Sequence, residues 1–228
     1  MKTSRPLSLF CILFTAVLLH LRLVPSFALL DPTTFSSVAI VPDAAAPQPL
    51  NPGFVSADTE YIRSSCKTTM YPATCYRSLN HYATAVQQDP ARLARVAVGV
   101  SLAKAKRMAA FFSNLSREAD YGAQPRVVAA LHDCFSIFGD TVDQIRGSLR
   151  QLRKLDGSSE SLRFQMSNVQ TWMSAALTNE DTCTDGFEDV TDDEPLKLNV
   201  CDRVGKVKEV TSNALALVNS FANKILTP

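Results

Sequence analysis

The sequence predicts an all-α protein, an up-and-down four-helix bundle preceded by a short helical hairpin. Apolar residues recur at steps of three and four over four long segments that follow residue 89, and this is the spacing of one helix face. Only 8 of the 228 residues are glycine while 46% are hydrophobic, which is typical of a packed helical core. The segments are joined by short polar connections, which favour antiparallel neighbours.

Residues 1–28 are predicted to form a secretory signal peptide. Lys2 and Arg5 precede an apolar run from Leu7 to Leu19, and the small residues Ser26 and Ala28 stand where a signal peptidase cleaves. A membrane anchor is the alternative, but the run is shorter than the ~20 residues that a span needs. We therefore expect a secreted chain with no membrane attachment after cleavage.

The mature chain is predicted to consist of a flexible linker and one bundle domain. Residues 29–55 hold five prolines among small residues, a composition typical of a linker, and the bundle domain covers residues 56–228. Cleavage removes three of the 23 basic residues and none of the 22 acidic ones, so the mature chain is slightly acidic. This balance argues against nucleic acid as a partner and suits a basic protein surface.

The hairpin is the first structured element in the prediction. Two short helices are expected over Thr59–Ser65 and Tyr71–Tyr82, with the hinge before Pro72. Helices of this length are marginal in water on their own. A disulfide between Cys66 and Cys75 would hold them together, and the spacing allows it.

Four long helices follow the hairpin. The first is expected to begin at Asp89-Pro90, a cap and first turn, and the second follows Pro125, where a helix tolerates proline. The third follows Ser159, and the fourth runs to Ile225. The second has the clearest apolar stripe, formed by Val128, Leu131, Phe135, Phe138, Val142, Ile145, Leu149 and Leu152. The stripe of the first contains Leu93, Val96, Val100, Met108, Phe111 and Leu115.

Five cysteines remain once Cys11 leaves with the signal peptide. An odd number in an oxidising compartment predicts two bridges and one free thiol. Four of the five can be paired in fifteen ways, and the spacing does not choose among them. Asn114 opens an Asn-Leu-Ser triplet, which is a glycosylation acceptor in a secreted protein.

The chain offers little for catalysis. Its mature part holds two histidines, and His132 lies two residues from Cys134, a spacing at which helical side chains point apart. No catalytic or phosphate-binding motif occurs, and the cysteines lack the spacing of a zinc site. Trp172 has the helical spacing of a core residue, although a ligand platform is the alternative. The sequence predicts no catalytic residue, no metal and no cofactor.

A polar stripe runs along the second long helix. Its members recur at steps of three and four, on the side away from the apolar stripe: Asp133, Ser136, Asp140 and Asp143. An acidic stripe of this kind is typical of an ordinary solvated helix face.

Four motifs, in order, resemble the plant invertase and pectin methylesterase inhibitor family. The first is Cys66–Cys75, with the sequence CKTTMYPATC, and the second is Ala130–Cys134, ALHDC. The third is Val169–Thr178, VQTWMSAALT, and the fourth is Thr182–Phe187, TCTDGF. The resemblance covers about residues 55–226 and implies a four-helix bundle behind a small helical hairpin.

The resemblance also implies the bridges and a binding surface. It pairs Cys66 with Cys75 and Cys134 with Cys183, and it leaves Cys201 as a free thiol. By position it makes Asp140, Asp143, Thr182 and Asp185 the partner-binding residues. Ser136 departs from family members that carry an acid there, which is expected to weaken or retune binding.

Members of this family bind their target enzyme one-to-one without chemistry of their own. We expect a secreted, non-enzymatic inhibitor of pectin methylesterase that covers the active-site cleft in the cell wall or apoplast. An inhibitor of acid invertase is the alternative, although the Pro-Lys-Phe tripeptide of that branch does not occur. The inhibitory pro-region of an esterase precursor and an enzyme or small-ligand binder with a site in the bundle core are two further alternatives.

Overall fold

The structure is a computed structural model that describes residues 56–119, 123–192 and 194–226. Helices account for nearly all of these residues. Three short helices come first, and a turn of 3-10 helix at Asn80–Tyr82 separates the second from the third: α1 (Ala57–Cys66), α2 (Pro72–Leu79) and α3 (Ala83–Val86). Four long helices follow: α4 (Pro90–Ala119), α5 (Pro125–Leu152), α6 (Ser159–Asp185) and α7 (Pro195–Leu226). The predicted signal peptide (1–28) and linker (29–55) lie outside the described residues.

The four long helices form the predicted bundle. Each packs against two others, so that α4 contacts α5 and α7, and α6 contacts the same two helices. The contacts between α5 and α6 pair residues whose numbers change in opposite directions: Cys134 with Cys183, Ser148 with Val169, and Gln151 with Gln165. These two helices are therefore antiparallel and in constant register. The prediction of an all-α bundle behind a helical hairpin is confirmed.

Local capping explains where the helices begin. The carboxylate of Asp89 accepts a hydrogen bond from the backbone N–H of Arg92 at 2.7 Å, ahead of Pro90 in the first turn of α4. This is the predicted cap, and it satisfies an otherwise unpaired donor. Ser158 accepts a hydrogen bond from the N–H of Ser161 at the start of α6, and Gly157 takes a φ of +93° in the turn before it.

The buried face of α5 differs from the prediction at one position. Phe135, assigned to the apolar stripe, is 45% exposed, whereas Cys134 and Thr141 are fully buried. The buried path runs from Leu131 through Cys134 to Phe138. Cys134 lies near the centre of the buried face, and Phe135, about 100° further round the helix, lies at its edge and is partly exposed.

Three other apolar residues also lie off the predicted stripes. Phe112 is completely buried where Phe111 was expected, and Ile225 is 37% exposed. Trp172 was predicted to be core, but it is only half-buried and belongs to neither buried cluster. Its ring lies over Gly147 at the outer edge of the α5–α6 contact.

The core consists of two apolar clusters. The hairpin-side cluster contains α1–α3 and the adjoining ends of the long helices, and the distal cluster surrounds the bridge between Cys134 and Cys183. Along α6, Glu180 lies between Ala176 of the first cluster and Cys183 of the second. Its carboxylate accepts a hydrogen bond from the hydroxyl of Thr211 at 2.8 Å, and Thr211 pairs with Ser101 at 2.9 Å. A buried polar group thus connects α4, α6 and α7.

The hairpin is tied to the bundle at its hinge and along α2. A disulfide joins Cys66 at the end of α1 to Cys75 in α2, with the Cα atoms 5.6 Å apart. The hydroxyl of Thr74 donates to the carboxylate of Glu209 on α7 at 2.6 Å. The second predicted helix, Tyr71–Tyr82, is observed as α2 followed by the turn of 3-10 helix.

Candidate functional site

The exposed residues of α5 and α6 that lie near the level of the Cys134–Cys183 bridge are here called the bridge surface. The bridge holds the two Cα atoms 4.7 Å apart. The members of the bridge surface are exposed on α5 and on the last turn of α6: Asp133, Phe135, Ser136, Asp140, Asp143, Thr182 and Asp185. All four residues that the resemblance makes partner-binding belong to it.

The antiparallel register places the members along the bundle axis. The pairing of Cys134 with Cys183 puts Thr182 level with Phe135, and Asp185 level with His132. Asp140 and Asp143 lie six and nine residues after Cys134 on α5, on the other side of the bridge from Asp185 along the bundle axis. At 1.5 Å per residue, the bridge surface extends about 17 Å from Asp185 to Asp143. This length suits part of a protein interface.

Several acids at this end of the bundle already have a basic partner. Asp143 forms an ion pair with Arg146 one turn along α5, Asp181 pairs with Lys208, and Asp189 pairs with Arg126 at 2.9 Å. Surface pairs of this kind contribute ~1 kcal/mol or less to stability. The pair with Arg146 leaves the carboxylate of Asp143 less available to a partner protein than its position suggests.

Asp133, Asp140 and Asp185 differ from these acids. Within the described residues, none of the three makes a hydrogen bond or an ion pair through its side chain, and all three are exposed. Lys208 pairs with Asp181, and the charge of Asp185 adds a smaller contribution to the raised pKa of Lys208. The bridge surface therefore offers three exposed carboxylates that form no direct ion pair with any described residue.

Thr182 presents an acceptor rather than a donor. Its hydroxyl donates to the backbone carbonyl of Thr178 at 2.9 Å, which uses the only hydroxyl hydrogen and leaves the oxygen lone pairs facing out. The hydroxyl of Thr184 likewise donates to the carbonyl of Asp181, at 2.7 Å. In this geometry Thr182 suits a cationic or N–H donor on the partner.

The segment after α6 holds the end of this helix in place. Phe187 is completely buried in the distal cluster, and Gly186 turns the chain close to the carbonyl of Cys183 and the methyl group of Ala130. The Thr182–Phe187 motif thus combines a bridge, a turn and an apolar anchor. This combination fixes the orientation of Thr182 and Asp185 on the last turn of α6.

Phe135 is a member that sequence reasoning did not assign to the surface. It lies level with Thr182 along the bundle axis, with 45% of its area exposed. The available signal was Cys134 next to it, because a bridged cysteine lies near the centre of the buried face and Phe135, about 100° further round the helix, lies at its edge. Exposed aromatic residues are typical of protein interfaces.

Within the part of the chain that the structure describes, the bridge surface contains no arrangement typical of a catalytic centre. Cys134 is held in the disulfide, and His132 is exposed on the outside of α5. Among the described residues there is no group of three histidine, cysteine or acidic side chains that could hold a metal ion. The alternative ligand platform, Trp172, borders a shallow cavity of about 290 Å³ with Gly147, Arg150, Gln151 and Lys154.

Two further candidate residues lie on α7 and α4. Among the described residues Cys201 on α7 is the free cysteine; it is half-buried, and burial raises the pKa of its thiol. Asn114 is exposed near the end of α4, where its side-chain oxygen accepts a hydrogen bond from Arg117 at 2.7 Å. Ser116 of the same triplet is buried. None of the helices in the described part of the chain is long and apolar enough to cross a membrane.

Comparison with known proteins identifies relatives over most of the chain. A 21 kDa protein of Daucus carota is 39% identical over 191 residues, which cover 83% of this chain and 94% of the relative. Pectinesterase inhibitor 9 of Arabidopsis thaliana is 41% identical over 172 residues, which cover 74% of this chain and 84% of the relative. Pectinesterase inhibitor 11 of the same plant is 40% identical, over 72% of this chain and 81% of the relative.

The fold matches a solved structure from the same group. The crystal structure of mutant form A of a pectin methylesterase inhibitor from Arabidopsis aligns with a TM-score of 0.55 at 19% sequence identity, covering 72% of this chain and 97% of that one. At this identity the match shows the fold alone. The family model for the plant invertase/pectin methylesterase inhibitors matches residues 60–217. The chain belongs to the plant invertase/pectin methylesterase inhibitor family.

Proposed function

We propose that this protein inhibits pectin methylesterase by placing the bridge surface against the cleft of the enzyme, in a one-to-one complex. The family consists of inhibitors without catalytic activity of their own, and relatives about 40% identical carry the name pectinesterase inhibitor. The observation that supports the proposal best is a set of exposed acids beside the bridge, among them Asp140 and Asp185, that form no ion pair within the described residues.

Charge complementarity explains how such a surface recognises the enzyme. Hydrolysis of pectin methyl esters leaves a polyanionic chain, so the cleft that holds it is expected to carry basic side chains. Asp140, Asp143 and Asp185 would meet these side chains as the substrate carboxylates do. Complementary charge raises the rate of association and selects the partner, and it weakens as salt increases.

Phe135 would supply the apolar part of the contact. A phenylalanine in the middle of a polar interface removes a large apolar area from water, and the polar residues around it exclude solvent from the contact. Thr182, level with Phe135, would accept a hydrogen bond beside it. Ser136 adds no charge where the resemblance has an acid, so Ser136→Glu is expected to tighten the complex.

The place of action follows from the N-terminus. We propose that residues 1–28 direct secretion, that residues 29–55 act as a linker, and that the mature protein works in the apoplast or cell wall. The two disulfides suit an oxidising compartment. Asn114 is exposed on α4, and we propose that it carries a glycan in the secreted protein.

A titration of two enzymes tests the proposed function. Purified mature protein is added in steps to a plant pectin methylesterase and, separately, to a plant acid invertase. We expect esterase activity to fall linearly to an end point near one inhibitor per enzyme, with invertase unaffected. The protein alone should hydrolyse neither methyl-esterified pectin nor sucrose. Stoichiometric inhibition of the invertase with the esterase untouched would contradict the proposal.

A further inference from the structure

A second surface, of opposite charge, lies between α4 and the last turns of α5. It is a groove of about 470 Å³ that reaches Tyr82, and we call it the α4 groove. Three arginines line it, Arg95 and Arg107 from α4 and Arg153 directly after α5, and no carboxylate does. The α4 groove begins level with Asp143 and runs away from the bridge, so it shares no residue with the bridge surface.

The floor of the α4 groove consists of small and apolar residues. Arg95, Gly99, Ala103 and Arg107 recur every four residues and so follow one ridge of α4. A Cβ atom added to Gly99 would meet nothing within 4 Å, so packing does not explain this glycine. Glycine inside a helix lowers stability by ~1 kcal/mol relative to alanine, and one use of a glycine is to let a ligand approach the backbone.

The arginines of the α4 groove have no acidic partner. Within the described residues, Arg95, Arg107 and Arg153 form no ion pair, whereas Arg63 and Arg146 pair within their own helices. A guanidinium group recognises carboxylates with two parallel hydrogen bonds. Arg95 and Arg107 lie twelve residues apart, which is about 18 Å along the helix. This arrangement suits a chain of repeated carboxylates better than a single small anion.

A second basic groove continues the first. It has a volume of about 450 Å³, shares Tyr82, Val100 and Arg107 with the α4 groove, and adds Arg77 and Lys104. Tyr82 is 44% exposed at the junction, where its ring offers an apolar platform with a polar edge. Glu209 is an acid in this second groove, and its carboxylate already accepts a hydrogen bond from Thr74.

We propose that the α4 groove binds de-esterified pectin, a polyuronate chain. The proposal rests on the proposed function, because this polymer is the product that the target enzyme leaves in the wall. Its carboxylates would pair with the arginines, and a sugar ring would stack on Tyr82. The inhibitor would thereby be retained where esterase has already acted, with the bridge surface still open to the enzyme.

Binding to polygalacturonate tests this proposal without any esterase present. Retardation in gels cast with the polymer is measured at about pH 5.5, where uronate carboxylates are ionised, with fully methyl-esterified pectin as the neutral comparison. We expect the parent to prefer polygalacturonate and the variant Arg95→Gln/Arg107→Gln to bind it about tenfold more weakly, because two charge-assisted contacts are lost. The matched control is Arg163→Gln/Lys224→Gln, which removes the same charge from exposed positions elsewhere and should bind nearly as the parent does.

The variant Gly99→Gln separates shape from charge. It fills the floor of the α4 groove, leaves the net charge unchanged and favours the helix, so we expect it to bind polygalacturonate more weakly while its helical content is unchanged. Any of four results would overturn the proposal. The parent could bind both pectins equally, or the matched control could lose as much binding as Arg95→Gln/Arg107→Gln. Gly99→Gln could bind as the parent does, or the parent could bind dextran sulfate or single-stranded RNA more tightly than polygalacturonate.

Failure of the proposed function would look different. If the protein binds polygalacturonate but inhibits no pectin methylesterase, the proposed function is wrong, and the α4 groove is still a polyuronate-binding site. Protein that inhibits the esterase but ignores the polymer would reject the α4 groove alone. The variant Arg95→Gln/Arg107→Gln should inhibit the esterase as well as the parent does, since both arginines lie outside the bridge surface.

Discussion

Asn213 of α7 binds both backbone groups of Tyr71, the residue at the hinge of the hairpin. The N–H of Tyr71 donates to Oδ1 of Asn213 at 3.1 Å, and Nδ2 of Asn213 donates to the carbonyl of Tyr71 at 2.9 Å. Asn213 is 3% exposed, so water cannot replace the side chain. The hairpin is thus attached to the bundle by a polar contact in addition to its apolar face.

Replacing Asn213 should destabilise the protein. Asn213→Leu leaves the backbone N–H of Tyr71 unpaired, whereas the carbonyl of Tyr71 keeps its hydrogen bond from the N–H of Cys75 at 2.9 Å. We therefore expect a loss of roughly 1–3 kcal/mol in the free energy of unfolding. Urea denaturation followed by circular dichroism measures it. Asn223→Leu, at an exposed position of the same helix, is the control and should change stability little. If the two variants have equal free energies of unfolding, the contact between Asn213 and Tyr71 does not stabilise the protein.

Glu180 should make the stability of the bundle depend on pH. Burial raises the pKa of its carboxyl group from 4.5 to about 8, opposed in part by the hydrogen bond from Thr211. Asp181 and Lys208 are the charged groups that act on it. The unfolded chain loses this proton near pH 4.5, whereas the folded chain keeps it to about pH 8. The contribution of Glu180 is therefore complete below about pH 4.5 and is lost as the pH rises to 8.

The variant Glu180→Gln tests this dependence. Glutamine keeps an acceptor for the hydroxyl of Thr211 and has no proton to lose in this pH range. The melting temperature of the variant should therefore fall less between pH 5 and pH 8 than that of the parent. Glu188→Gln, at an exposed position, should follow the parent profile. Parallel profiles for parent and Glu180→Gln would mean that the buried carboxyl group does not control stability in this range.

The sequence predicts the helices well because their periodicity depends on many residues. One misplaced residue, such as Phe135, barely changes the stripe of α5. The contact between Asn213 and Tyr71 and the burial of Glu180 were not predictable, because one asparagine or glutamate on an amphipathic helix carries no signal of its partner 142 or 31 residues away. The candidate interface residues came from the resemblance, and their charge pattern alone is typical of a solvated face.

The disulfides should differ sharply from Cys201 in their effect on stability. Peptide mapping without reduction should recover Cys66 linked to Cys75 and Cys134 linked to Cys183, with Cys201 open to alkylation after denaturation. Cys134→Ser should lower stability by ~2–5 kcal/mol, because the bridge constrains the unfolded chain. Cys201→Ser should have a far smaller effect. Recovery of Cys201 in an intramolecular bridge would contradict this assignment.

Alanine substitutions at Phe135 and Phe138 should affect different properties, inhibition at Phe135 and stability at Phe138. Phe138 is completely buried in the distal cluster, so Phe138→Ala should lower stability by ~3–5 kcal/mol. Phe135→Ala removes a side chain that is 45% exposed, so it should melt close to the parent while inhibiting pectin methylesterase at least several-fold less well. An inhibition constant that Phe135→Ala leaves unchanged would remove the aromatic ring from the interface.

The dissociation constant of the complex with a pectin methylesterase, measured for single substitutions on the bridge surface, tests the central claim most directly. Asp140→Ala and Asp185→Ala should each weaken binding by tenfold or more, because removing one partner of a charge pair buried in a complex costs ~2–5 kcal/mol. Their melting temperatures should stay near the parental value, since exposed acids contribute little to folding. Lys154→Ala, two residues beyond the far end of α5, should bind as the parent does. The account is contradicted if Asp140, Asp143, Thr182 and Asp185 can all be replaced by alanine without loss of affinity while the parent inhibits an invertase instead.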